Sequence, residues 1–157
     1  MPNGRKLPEG IASAALLWTV IGTLSSYSKL PAVIVTHFNI AGRVDGYGPK
    51  ATILILPLVA LGVYVLMTFI ERLPPRMINT PFPLTDENRS RVLAVTYEMT
   101  SWINAWTQLI FVVLTTMTIN VTTTGAAQSG EGMYLGGCIF LIAATVAFYI
   151  FRMYRVR

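Results

Sequence analysis

Long uncharged runs, rather than strict alternation, dominate the hydrophobic pattern of this chain. Gly10–Ser28, Ala51–Ile70, Met99–Gly130 and Gly132–Phe151 contain no Asp, Glu, Lys or Arg. A helix rises 1.5 Å per residue, so about 20 apolar residues match the roughly 30 Å hydrocarbon core of a bilayer. The runs predict four transmembrane helices, at about 10–27, 51–71, 101–121 and 133–152. An outer loop (28–50), an inner loop (72–100) and one short connection complete a single membrane domain, 1–157. A soluble bundle is the alternative, but too few polar residues remain to give its helices a wet face.

Composition sharpens this picture. Apolar residues make up 54% of the chain and charged residues 12%, about half the roughly 25% charge of a soluble domain. That argues against a water-soluble enzyme, a disordered tail and a disulfide scaffold. The one cysteine, Cys138, lies mid-span, and with one histidine there is no ligand set for a structural zinc. No metal or cofactor is expected.

The net charge of +5 is chiefly an orientation label. Lys and Arg near span ends mark the cytoplasmic side. Arg5 and Lys6, then Arg72, Arg76, Arg89 and Arg91, then Arg152, Arg155 and Arg157 share one side, nine in all. Lys29, Arg43 and Lys50 occupy the other. The imbalance places both termini inside and the 28–50 loop outside, in the plasma membrane. Residues 1–28 also resemble a cleavable signal peptide, but their apolar run exceeds the usual core of 7–15 residues. A retained anchor is expected.

The outer loop carries the candidate chemistry. Val33–Thr36 is β-branched throughout and favours extended backbone, while Gly42, Asp45-Gly46 and Gly48-Pro49 are turn residues. A compact, ordered cap is expected, gathering His37, Asn39, Arg43, Asp45 and Lys50 as candidate ligand- or partner-binding groups. His37 has the chemistry to titrate near neutral pH, to hydrogen-bond a ligand or to bind metal. His37 and Asn39 can equally satisfy loop backbone groups. His37 and Asp45 alone are too few ligands for a metal site.

Leu30-Pro31, His37-Phe38-Asn39, Gly42, Asp45, Tyr47, Lys50 and Pro57 resemble the pattern of a bacterial membrane family. It is the domain of unknown function at the amino-terminal end of SdpI-type toxin-immunity proteins. Asn79-Thr80-Pro81 and Leu84–Asn88 are similar to the segment before its third span, so the resemblance covers roughly 11–120. It implies an integral membrane protein, with immunity or signalling as the nearest assigned role. Longer relatives continue into further helices, whereas this sequence has four spans.

Within the third span Asn104, Gln108, Thr115, Thr118 and Thr122 fall at about 0°, 40°, 20°, −40° and 0° on a helical wheel. This single stripe is expected to face the bundle interior, as interhelical glue or as the lining of a polar pathway. The fourth span offers Gly132-x-x-x-Gly136, Ala143 and Ala147, small residues suited to a neighbouring helix or a second copy. Pro57 is expected to bend the second helix. Pro74-Pro75, Pro81 and Pro83 predict an extended first half of the inner loop. Thr85 or Asp86 is expected to cap one continuous helix from near 86 to 121.

The function expected from these features is non-enzymatic: an integral membrane protein of the immunity or signalling sort, sensing or binding a peptide or membrane partner. A small transporter or channel component is the alternative. The arginines near 89–91 are interrupted by Asp86, Glu87 and Glu98, so no nucleic-acid partner is expected.

Overall fold

The computed structural model describes residues 4–39, 43–125 and 131–157. Four long helices, α1 (Lys6–Tyr27), α2 (Ile55–Ile70), α3 (Arg89–Thr124) and α4 (Glu131–Arg155), carry the fold. Each lies in a segment long and apolar enough to cross a membrane. Their large apolar side chains point outward: Leu17, Trp18, Leu58, Phe69, Ile139 and Phe140 are all exposed. Buried Thr19, Thr23, Ser101, Asn104, Gln108 and Thr115 lie inside. Apolar outside and polar inside is the arrangement that hydrocarbon solvent favours, and the chain has the architecture of a multi-pass membrane protein.

The expected all-α fold with an extended, turn-rich loop after α1 gains a small sheet in that loop. β1 (Val33–Phe38) and β2 (Val44–Pro49) form an antiparallel hairpin. Gly46 and Gly48, expected only in turns, lie within β2 because β1 leaves no room for larger residues. A Cβ on Gly46 would stand 2.8 Å from His37 Cβ, and one on Gly48 3.0 Å from Thr36 Cγ2. The register shifts on either side of His37, so the hairpin bulges there.

The hairpin is plugged into the bundle. Ile34 packs with Leu30 and Ile53 in a buried cluster flanked by Tyr27, Leu56 and Ile119. Each such side chain contributes about 1.5–3 kcal/mol when removed from water. Val35 N–H donates to Thr122 Oγ1 at 3.1 Å, and Lys50 N–H to the Ala32 carbonyl at 2.9 Å.

The central element is α3, which packs against α1, α2 and α4. The α1 face toward the bundle is Ala12, Ala15, Thr19 and Thr23, small residues that let two helix backbones approach closely. A single helix running through to Thr124 agrees with the continuous third element expected from the sequence. Thr85 and Asn88 exchange hydrogen bonds, Thr85 N–H to Asn88 Oδ1 and Asn88 N–H to Thr85 Oγ1. That reciprocal pair serves as a capping box one turn ahead of Arg89.

Two prolines mark changes of backbone type. Pro57 sits in the first turn of α2, because a 3₁₀ segment, Lys50–Leu54, precedes that helix. Lacking an N–H, Pro57 cannot donate to the carbonyls of that preceding turn, and the helical geometry changes from 3₁₀ to α just before it. Pro75 opens a 3₁₀ turn, Pro75–Met77, within the stretch expected to be extended. Gly42 lies outside the described residues, and of the Gly132-x-x-x-Gly136 motif only Gly136 has described surroundings.

Candidate functional site

The five outer-loop candidates separate into three places. Bulging around His37 brings its Nδ1 into hydrogen-bond contact with Asp45 Oδ1 on the exposed surface. Asn39 and Arg43 close the hairpin: Asn39 Oδ1 accepts the Arg43 N–H at 3.0 Å, and Asn39 N–H donates to the Arg43 carbonyl at 2.8 Å. Lys50 stands at the opposite end of the strands, its Nζ 5.0 Å from the Tyr27 ring centroid. Asn39 and Lys50 thus hold backbone and hairpin in place, while His37 and Asp45 bond directly to each other through their side chains.

Beneath the hairpin lies a cleft of about 890 Å³ that no single sequence segment announces. Thr36, His37, Phe38 and Asn39 roof it, Ile55 and Leu56 of α2 form one side, and Leu135, Gly136 and Ile139 of α4 the other. Leu114, Met117 and Thr118 of α3 form the back. The walls are apolar and the roof is polar, a combination suited to an amphipathic occupant.

The polar stripe of α3 does face inward. Asn104, Gln108, Thr115 and Thr118 are buried. Gln108 Nε2 donates to the Ala60 carbonyl at 3.1 Å and to Asn104 Oδ1 at 3.4 Å. Gln108 Oε1 and Thr115 Oγ1 have no partner among the described residues. Thr118 reaches the cleft under the hairpin, whereas Asn104 lines a second cavity near the termini.

That second cavity, about 480 Å³, lies between α1, α2 and α3. Arg5 pairs there with Glu9 at 3.1 Å and with Glu71, and its guanidinium carbon lies 5.8 Å from the Tyr97 ring centroid. Glu71 immediately follows α2, its side chain 6% exposed, and Ser101 Oγ donates to its Oε1 at 2.8 Å. Burial pushes the Glu71 carboxyl above its ordinary value, against the opposing pull of Ser101 and Arg5. On the other flank of α3, Glu98 accepts hydrogen bonds from Tyr149 Oη at 3.0 Å and Arg152 at 3.1 Å. Sequence reading missed both clusters. The signal available was a carboxylate at a span end and arginines beside other spans, with nothing to pair Arg5 to a residue 66 positions away.

Residues 14–61, from α1 through the hairpin into α2, match the family profile described as a domain of unknown function, DUF1648. A 69-residue stretch is 35% identical to an uncharacterised protein of Archaeoglobus fulgidus, covering 44% of this chain and 37% of that protein. The match thus spans little more than a third of that relative's length. No solved structure matches the chain.

Proposed function

We propose that this chain acts as a non-enzymatic membrane protein of the immunity or signalling sort, whose hairpin-side cleft receives an apolar peptide segment or a membrane partner. The carrying observation is the cleft of about 890 Å³, apolar in its walls and roofed by Thr36, His37 and Asn39. The resemblance of the His37-Phe38-Asn39 loop to SdpI-type immunity proteins supports the same reading. The hairpin faces outward in this proposal, toward membrane-active peptides.

The test is expression in a sensitive host challenged with such peptides. Gly136 is the informative position, since nothing lies within 4 Å of a Cβ built there. Gly136→Leu should place side-chain volume in the cleft, leaving abundance unchanged and restoring killing. Equal killing with and without the wild-type chain would remove the immunity reading.

A second reading, a small transporter component, is favoured by the stripe that reaches one cavity at Asn104 and the other at Thr118. Liposome flux unaltered by Asn104→Leu and Gln108→Leu together would sink it.

A further inference from the structure

We propose that the cavity near the termini binds a phosphodiester, supplied by the headgroup of a membrane phospholipid. Its position is the first argument. The cavity runs from Arg5, Lys6 and Arg72 at the helix ends to Ser13, Tyr64 and Asn104 within the bundle. Lys6 and Ser13 are seven helical residues apart, a depth of about 10 Å. The headgroup layer occupies about 5–8 Å on each side of the hydrocarbon, so the cavity mouth is level with lipid phosphates.

Charge is the second argument. Arg5, Lys6 and Arg72 face Glu9 and Glu71, leaving one positive charge that a phosphodiester, a monoanion, would neutralise. The two carboxylates are both engaged by Arg5. Lys6 and Arg72 have no carboxylate partner among the described residues. Basic pockets between transmembrane helices hold lipid headgroups by this chemistry.

The buried donor on the cavity floor is the third argument. The Ala60 carbonyl can only accept a hydrogen bond, so Gln108 must turn Nε2 toward it. The same nitrogen then reaches Asn104 Oδ1, which fixes that amide as well. Asn104 is 5% exposed and lines the cavity. Its Nδ2 donors have no acceptor among the described residues, and an oxygen-rich group at the cavity floor would satisfy them. Phosphate oxygens at the mouth and the glycerol or ester oxygens below match this order of groups.

The experiment uses the full chain purified in detergent and titrated with phosphatidylglycerol, diacylglycerol or soluble glycerophosphoglycerol. Native mass spectrometry reads occupancy, and thermal unfolding reads stabilisation. Phosphatidylglycerol should bind and raise the melting temperature, while diacylglycerol should not. Lys6→Gln with Arg72→Gln should weaken binding by about tenfold or more. Arg76→Gln with Arg91→Gln, a matched charge loss at exposed positions outside the cavity, should leave it unchanged. Asn104→Asp, nearly isosteric but lacking the donors, should weaken binding too. If that variant does not fold, the Lys6/Arg72 pair still decides the outcome. Glycerophosphoglycerol binding as tightly as the lipid would support the site and assign it to a soluble phosphodiester. Equal binding of diacylglycerol, or full retention by the Lys6/Arg72 variant, would overturn the proposal.

Discussion

Arg5→Ala isolates the electrostatics that join α1, α2 and α3 near the termini. The substitution leaves Glu71, 6% exposed, with Ser101 as its remaining hydrogen-bond partner. Removing one member of a fully buried ion pair costs about 3–5 kcal/mol. Arg5 is about a third exposed and the cavity is polar, so solvent screening reduces that to roughly 1–3 kcal/mol. Glu71→Gln in the same chain keeps an acceptor for Ser101 and removes the uncompensated charge, so the double variant should recover most of the loss. The pH dependence has a definite sign. The Glu71 carboxyl already titrates above its ordinary 4.5, and loss of Arg5 raises it further. Protonation therefore favours the folded state, and this contribution is fully present below about 4.5 and lost as pH rises through the folded value. Thermal unfolding in detergent should show Arg5→Ala far below wild type at pH 8 and closer to it at pH 5. A gap that stays constant with pH, or a double variant no better than Arg5→Ala, would refute this reasoning.

Two further outcomes rest on single contacts. Gly46→Ala should destabilise the hairpin by about 1–3 kcal/mol, the usual cost of overpacking, because its Cβ would stand 2.8 Å from His37 Cβ; hydrogen exchange confined to residues 33–49 would check this. Gln108→Leu should change stability by less than about 1 kcal/mol, since one interhelical bond to Ala60, worth about 0.6 kcal/mol, and a long bond to Asn104 within α3 are offset by removing the buried, unpartnered Oε1. A Gln108→Leu protein several degrees less stable in a melting assay would contradict that balance.

The four helices were legible because burial in lipid forbids charge over some 20 residues, a constraint written directly into the sequence. The inward stripe was legible for the same reason, since polar groups in hydrocarbon have one comfortable direction to point. The hairpin was half legible. Val33–Thr36 declared extended backbone, but Gly46 and Gly48 read as turn residues, because a glycine required by cross-strand crowding looks like one required by backbone conformation. The 3₁₀ segment before α2 was not legible, because i→i+3 and i→i+4 helices share nearly the same hydrophobic pattern over five residues. The cleft and the Arg5–Glu71 pair were not legible. Both are assembled from elements far apart in the chain, and proximity of that kind leaves no periodic mark.

The close face between α1 and α3 also bears on how this protein is made. The buried threonines of α1, Thr19 and Thr23, belong to the face packed into the bundle, and α3 is the principal partner of α1. Yet α3 is synthesised only after α2 and the 71–88 loop. During biogenesis the first helix must therefore wait, its polar face sheltered by the insertion machinery or by other nascent segments. The bundle closes when the third helix arrives. A ribosome stalled before residue 89 would hold α1 and α2 without the element that completes their packing, and quality-control proteases should distinguish that intermediate from the finished protein.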